Sequence, residues 1–329
     1  MKNGTLLLTR SDIASLLEIK EYIHIVENAF RLHADGKTLK SGLIHIEAPG
    51  GEFHVKAGGL KFDKTYFAVK IGSGFFQNFV RMGLPNIMGA LLLCDGDNGY
   101  PLAIMDSATI TQNRTAAATV VAAKYLARSD SSVVFIAGSG IQGRAQLRAL
   151  TQAFPIKKAF VYSRNSNKSK AFADEMEREL QITVVSTADL NGALKASDIC
   201  VTCTPSRQYF ISEDCICPGT FIAAVGADSP EKQELDPQLL MKNTVVVDIL
   251  EQCVKVGELH HAIDKGMPID QVHAQLGEIV AGHKVGRSSS AEITIFDSTG
   301  TGLQDAAAAA AAYEKATSLV HGKHFDFFT

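Results

Sequence analysis

The chain has 329 residues, 46% of them hydrophobic and 20% charged, enough apolar mass for about two packed domains and too much for a disordered or collagen-like polymer. Its 35 acidic against 32 basic residues leave a net charge of −3, without the basic excess through which a general nucleic-acid binder releases counterions. No apolar run reaches the roughly 20 residues of a membrane span, and MKNGTLLLTRSD has too little apolar length for a signal-peptide core; a soluble, cytoplasmic chain without nucleic-acid or membrane partners is expected.

Residues 11–35 carry two helical stretches. Ser11-Asp12 can cap the first, and Ile23, Val26, Phe30 and Leu32 give the second an apolar face. Residues 43–105 change character: FHVKAGGL, YFAVKIGSG, IMGALLLCD and PLAIMD read as strands, with DGDNGYP a hairpin turn between the last two. A helix follows from Thr109 to Arg128. From Ser131 the short runs VVFIAG, AFVYSR, ITVVST, DICVTCT, FIAAVGA and TVVVDI are β-branched or apolar, and helical segments separate the first four. This is the pattern of βαβ units on a parallel sheet. The late run ITIFDSTG precedes an alanine-rich helix. The fold class expected is α/β: a doubly wound Rossmann-type domain over residues 116–302 and a second, α+β domain over residues 1–115, onto which a terminal helix within 303–329 packs back.

Six cysteines in a chain this long do not suggest a disulfide framework. Cys200-Val-Thr-Cys203 has metal-ligand spacing, but it lies in an expected buried strand, where residues three apart face opposite ways. His260 and His261 are expected on a helix about 100° apart, and His321 and His324 in a solvated tail. No metal is expected.

The sharpest motif is Gly138-Ser-Gly140-Ile141-Gln142-Gly143, between an expected strand and an expected helix. Gly138 permits a tight turn, Gly140 lets the backbone approach a pyrophosphate, and Gly143 lets the helix pack on the strand. The N–H groups opening that helix, from Ile141 and Gln142 onward, would bind the phosphates. The next strand ends Tyr162-Ser163-Arg164 without an acid for a ribose 2′-hydroxyl. Ser163 and Arg164 suit a 2′-phosphate instead, so NAD(P)(H) is expected with a lean toward NADP(H). Doubly wound sheets place ligands beyond the carboxyl ends of their strands, where Thr204, Val225 and Ser298 fall.

A basic cluster marks the first half. His54 and Lys56 alternate with Phe53 and Val55, Lys70 interrupts an apolar strand, and Arg114 opens a helix of Ala, Thr and Val. Buried cations are costly unless paired. Neither strand offers an acid on the same face, so a ligand carboxylate is the expected partner: Arg114 would grip it bidentately, with Lys70 as a second cation or, if burial lowers its pKa, a base. The plainer alternative for Lys56 and Lys70 is a snorkelling side chain. Asp228, after FIAAV, is a candidate general acid/base, although Asp before Ser-Pro also forms turns.

These pieces together resemble the ornithine cyclodeaminase/μ-crystallin family. The segments that carry the likeness are VKIGSGFFQN, ITQNRTAAAT, GSGIQG, VGADSPEKQELD and EITIFDSTGTGLQD. The resemblance implies a nicotinamide cofactor, a substrate-binding and dimerisation role for the first domain, and a homodimer. It implies that Lys70 and Arg114 hold the substrate carboxylate, that Thr115 contacts pyrophosphate, and that Asp228 is catalytic. The family's usual arginine stands here as Leu43, with His45 nearby. Its ornithine-binding glutamate stands as His54, and Lys56 replaces a common methionine, which counts against ornithine as substrate.

The expected function is therefore NAD(P)-dependent chemistry at the Cα–N bond of a small L-amino acid or cyclic imine, of the dehydrogenase or imine reductase type. The alternatives are a cyclodeaminase or hydroxyproline dehydratase with no net redox, and a non-catalytic cofactor-binding protein of the μ-crystallin kind.

Overall fold

The computed structural model describes residues 4–327. In chain order the elements are β1 (Thr5–Leu8), α1 (Arg10–Leu16), α2 (Ile19–Ala34), β2 (Thr38–Ala48), β3 (Gly51–Lys61), β4 (Thr65–Gly74), α3 (Asn78–Met82), β5 (Ile87–Asp95), β6 (Pro101–Asp106) and α4 (Ser107–Leu126). There follow β7 (Val133–Ala137), α5 (Ile141–Ala153), β8 (Lys158–Tyr162), α6 (Ser166–Leu180), β9 (Thr183–Ser186), α7 (Leu190–Lys195), β10 (Ile199–Thr202), β11 (Arg207–Ile211), β12 (Phe221–Ala224) and β13 (Gln233–Leu235). The chain continues through α8 (Pro237–Lys242), β14 (Thr244–Val247), α9 (Leu250–Cys253), α10 (Glu258–Asp264), β15 (Ala274–Gln275), α11 (Leu276–Val280), β16 (Thr294–Asp297), α12 (Gly302–Ser318) and β17 (Lys323–Phe325). These form two compact units, one running through Arg114 and resuming at Thr301, the other spanning Thr115–Gly300.

The first unit holds a seven-stranded sheet in the order β17-β1-β6-β5-β4-β3-β2. β1 runs parallel to β6, and the other neighbours are antiparallel. β1, β2 and β17 go beyond the strands read from the sequence. TLLL is too short to announce itself, and β2 mixes Lys, Ser and Gly into its first half. The first helix is capped not by Ser11-Asp12 but by Thr9, with Asp12 closing a capping box from the third helical position. The pleat sorts the central strands into two faces. Ile44, Ile46, Phe53 and Ile71 are exposed on one, and Lys56, Lys70, Leu60, Leu91 and Leu93 are buried on the other.

α12 lies against β3 and β4 on the buried face. Its contact is backbone on backbone. A Cβ at Gly58 would lie 2.7 Å from the Gly302 carbonyl carbon, and one at Gly302 would lie 2.2 Å from the Ala57 oxygen. The run Ala306–Ala310, all buried, continues the contact with side chains of one carbon. Thr301 and Gln304 close a capping box that starts the helix at the sheet.

The second unit is built on an eight-stranded, all-parallel sheet in the order β15-β14-β16-β12-β10-β7-β8-β9. From β9 to β12 this is the mononucleotide-binding order, and the order of strands reverses between β7 and β10, all of them still parallel, where such sheets bind ligands. Its strands are continuous apolar runs because both faces are covered; Phe135, Ile136, Ile222, Val246 and Ile295 are fully buried. A separate two-stranded pairing, β11 with β13, lies beyond the strands expected from the sequence.

Candidate active site

In the first unit, register places Lys56 directly opposite Lys70 on adjacent strands, and α4 brings Arg114 to the same cluster. Lys56, Lys70 and Arg114 are each 3–4% exposed, so the snorkelling alternative fails. The expectation that no residue of the chain would partner these cations also fails. Asp305, in the first turn of α12, lies with Oδ2 2.7 Å from Lys70 Nζ and Oδ1 2.9 Å from Arg114 Nε. The first contact is an ion pair rather than an aligned hydrogen bond; the second is both. Arg114 Nη1 donates to Gln304 Oε1 at 2.9 Å, and Lys70 Nζ donates to Thr111 Oγ1 at 3.0 Å. Arg114 thus spends its Nε–H and one Nη1–H within the chain, and of its five donors one on Nη1 and two on Nη2 remain for a ligand.

Sequence reasoning missed Asp305 because 191 residues separate it from Arg114. The capping pattern Thr301-x-x-Gln304 was the available signal: it fixes the helix start and hence the face on which Asp305 lies. Burial lowers the Lys70 pKa from 10.5 to about 7, opposed chiefly by the Asp305 carboxylate and assisted by Arg114 and Lys56. Burial pushes Asp305 upward, but Lys70 and Arg114 together hold it below the ordinary carboxylate value. A lysine poised near neutrality can hold or release a proton at working pH.

One residue pair along from Lys56, His54 stands opposite His45 on β2 and Gly72 on β4. An acid does share its face: Glu52 Oε2 accepts from His45 Nε2 at 3.1 Å and lies 3.4 Å from His54 Nε2. The two imidazoles stack with centroids 4.8 Å apart. No metal spacing is legible in the sequence here because the three donors, all within 4.8 Å of one another, come from two strands. A Cβ at Gly72 would meet only the His54 oxygen, at 3.9 Å, so the space above it is open.

In the second unit the fingerprint glycines have three different surroundings. Gly138 has φ +120°, a region that favours glycine, and sits against Cys203 of the loop after β10. Gly143 would drive a Cβ to 2.1 Å from the Gly138 oxygen. Gly140 is the N-cap of the 13-residue helix α5, without a side-chain cap, and a Cβ there would meet nothing within 4 Å. Open space before uncapped N–H groups fits a pyrophosphate. Arg144 braces the turn, donating to the Ser139 oxygen at 2.6 Å and to Glu175 at 2.8 Å.

These surroundings separate folding from binding. Gly140→Ala is expected to change unfolding stability by less than about 1 kcal/mol, since its φ of −84° suits any residue. It should weaken dinucleotide binding about tenfold or more by filling the space a phosphate needs. Gly143→Ala should instead destabilise the fold by about 1–3 kcal/mol. Thermal unfolding and fluorescence titration with NADH check both; equal dinucleotide affinity in wild type and Gly140→Ala would contradict the assignment.

The remaining expected cofactor residues sit as follows. Ile141 and Gln142 open α5, with Ile141 exposed. Ser163 and Arg164 follow β8, where Ser163 Oγ accepts from the Asn165 N–H at 3.4 Å and Arg164 is exposed. Thr204, Val225 and Ser298 follow β10, β12 and β16 at the carboxyl end of the sheet, and Thr115 is buried in α4. Asp228 does not stand alone: Lys232 Nζ donates to its Oδ1 at 2.7 Å.

The other polar residues singled out in the sequence make contacts within the fold. Cys200 and Cys203 are unbridged, and burial raises both thiol pKa values. The strand ends at Thr202, one residue before Cys203. His260 and His261 do not diverge as expected, because their rings lie 3.8 Å apart, and His261 Nε2 contacts the Lys232 carbonyl. His321 is not simply solvated; its Nε2 meets Asp12 Oδ1 at 2.8 Å.

A doubly wound parallel sheet with open space before α5 and a buried lysine–arginine–aspartate cluster define the class, and the comparisons specify it. The chain belongs to the ornithine cyclodeaminase/mu-crystallin family, whose model matches residues 3–319. It is 39% identical over 98% of its length to an alanine dehydrogenase of Archaeoglobus fulgidus, covering 99% of that protein. A solved archaeal alanine dehydrogenase dimer with bound NAD superposes with a TM-score of 0.93, over 99% of this chain and all of that one. The Thermococcus litoralis Δ1-pyrroline-2-carboxylate reductase, solved with NADH and L-proline, is 36% identical with a TM-score of 0.91, over 98% of this chain and all of that one. An iminosuccinate reductase of Paracoccus denitrificans is 32% identical over 94% of this chain and 96% of its own.

Among the described residues no helix is long and apolar enough to cross a membrane.

Proposed function

We propose that this chain is an NAD(P)(H)-dependent enzyme acting at the Cα–N bond of a small L-amino acid or of the corresponding imine, as an amino-acid dehydrogenase or imine reductase. The observation that carries this reading is the convergence of Lys70 Nζ and Arg114 Nε on the two oxygens of Asp305, at 2.7 and 2.9 Å. It holds two cations rigid in a buried site and leaves the outer guanidinium donors for a carboxylate. The named activities of three relatives support it.

The nicotinamide, when bound, supplies the hydride acceptor or donor. Gly138, Gly140 and the first turn of α5 hold the pyrophosphate, with Thr115, Thr204, Val225 and Ser298 as further contacts. Arg114 Nη2 and Lys70 Nζ orient the substrate carboxylate. Lys70, near half protonation at neutral pH, holds or takes the proton of the substrate nitrogen. Asp228, whose Oδ1 accepts from Lys232 Nζ, takes or gives the second proton. His54 and Lys56 line the side-chain end. Ser163 and Arg164 at the end of β8 favour a 2′-phosphate, hence NADP(H).

The test is a panel of Δ1-pyrroline-2-carboxylate, iminosuccinate, pyruvate with ammonia, L-alanine, L-proline and L-ornithine, each with NAD(H) and NADP(H). Net gain or loss of reduced nicotinamide with at least one is expected. Ammonia release without that change would replace this reading with a cyclodeaminase. Dinucleotide binding with no turnover of any compound would favour a non-catalytic role.

The exposed face of the first sheet supports a homodimer. Ile44, Ile46, Phe53 and Ile71 are 37–57% exposed and share one face of β2, β3 and β4, a contiguous apolar patch of the kind that marks an interaction surface. The double substitution Ile46→Asp, Ile71→Asp is expected to halve the mass measured by light scattering. An unchanged mass would place the interface elsewhere.

A further inference from the structure

Four carboxylates lie buried at the carboxyl end of the parallel sheet: Asp297, Glu258, Glu234 and Asp248, each 0–1% exposed. None makes an ion pair among the described residues. Three of them form a relay through backbone N–H groups. Asp297 accepts from the amides of Glu258 and Leu259, at 3.2 and 2.8 Å, fixing the start of α10. Glu258 accepts from the amides of Glu234 and Leu235, at 2.7 and 3.1 Å, fixing β13. Glu234 accepts from the amide of Thr204 on Oε1 at 2.7 Å and from that of Gly226 on Oε2 at 3.1 Å.

The last link is the informative one. Gly226 and Glu234 bracket the loop that carries Asp228, so the Glu234 carboxylate closes that loop at its neck. The same carboxylate ties the neck to Thr204, in the loop after β10. The join is tight: a Cβ at Gly226 would lie 2.3 Å from Glu234 Oε2 and 2.5 Å from the Thr204 oxygen. α10 adds a second brace, because His261 contacts the Lys232 carbonyl while Lys232 Nζ holds Asp228. An anion with no cation beside it is a costly way to build a turn. It is retained where two backbone donors from different loops need one rigid acceptor.

We propose that Glu234 is a positioning residue that closes the Asp228 loop and locks it to the cofactor-side loop at Thr204. The inference rests on the reading of Asp228 and Thr204 given above. Both carboxylate oxygens are used as acceptors, so the ionised form holds the two loops together best. Burial raises the Glu234 pKa to about 7, opposed by the Thr204 and Gly226 donors. The groups facing it are the Cys200 and Cys203 thiols and the Glu258 carboxyl. Burial raises all three and favours their neutral forms.

Glu234→Gln keeps the shape but turns an N–H donor toward one of the two amides. Amide hydrogen exchange at Thr204 and Gly226 is expected to quicken about tenfold or more, while the Glu234 and Leu235 amides, held by Glu258, keep their protection. With a substrate from the panel, kcat should fall about 10- to 100-fold and substrate KM change less than about threefold. In wild type the protection of the Thr204 and Gly226 amides, corrected for intrinsic exchange, should weaken from pH 8 to pH 6. In Glu234→Gln this pH dependence should vanish. The wild-type measurement alone decides the matter if the variant does not fold: protection at both amides independent of pH overturns the proposal. So does unchanged exchange in a folded Glu234→Gln chain. A wild-type chain that binds no dinucleotide overturns the cofactor reading instead, leaving the exchange result to stand by itself.

Discussion

Arg114→Met is expected to lower kcat/KM about 10²- to 10³-fold. The guanidinium is 3% exposed, and truncating one member of a buried, hydrogen-bonded charge group costs about 3–5 kcal/mol. If Nη2 meets the substrate carboxylate, most of that loss falls on substrate and transition state. The methionine fills comparable volume, and Asp305 keeps Lys70, so the fold should survive. Dinucleotide affinity should stay within about twofold because the α5 cradle does not involve this side chain. Arg114→Lys should recover little: an ammonium cannot serve Asp305, Gln304 and a ligand from three fixed directions. Steady-state kinetics beside a dinucleotide titration check this. A kcat/KM within threefold of wild type would mean that the carboxylate binds elsewhere.

Asp305→Asn probes the other side of the same cluster and has two readouts. Removing the carboxylate leaves Lys70 and Arg114 buried without their shared anion, so stability at pH 7 should drop by about 3–5 kcal/mol. The second readout is the ionisation of Lys70. Its pKa lies near 7 instead of 10.5, with burial lowering it and Asp305 raising it. The asparagine variant should therefore ionise at lower pH still. For amino-acid oxidation, which needs the neutral amine, the rising limb of log kcat/KM is expected near pH 7 in wild type and displaced to lower pH in the variant. Stability follows the same sign. Between about pH 7 and 10.5 the unfolded chain holds the Lys70 proton and the native chain does not, so this group makes the fold more stable as pH rises. Asp305→Asn widens that window on its acid side. A limb that stays in place would show that Lys70 is not the titrating group.

The parallel unit was legible in the sequence because its elements are local statements. VVFIAG, GSGIQG and the helix after them occupy a contiguous stretch, and the physical requirement on each glycine is set by neighbours a few residues away. The same holds for the Lys56 and Lys70 strands, whose alternation put both cations on one face. What could not be read was which distant residue answers them. Asp305 is one acid among 35, set in a helix whose composition says only that it is helical. It reaches the cluster because Gly58 and Gly302 let two backbones touch, a long-range fact with no local signature. Glu52 was nearer at hand, two residues before His54 on the same face, and simple parity would have found it. The Glu234 relay was hidden differently: its donors are main-chain amides, which every residue has.

The placement of Asp305 also bears on the order in which the chain is made. Strands β3 and β4 and helix α4 leave the ribosome well before α12, so Lys70 and Arg114 exist in the nascent polypeptide without the carboxylate that balances them. A domain folding from its amino end would have to keep those two side chains hydrated until some 190 further residues have been synthesised. Final closure of the first unit is thereby deferred to the arrival of one late helix, and the second unit has the whole interval in which to fold beforehand.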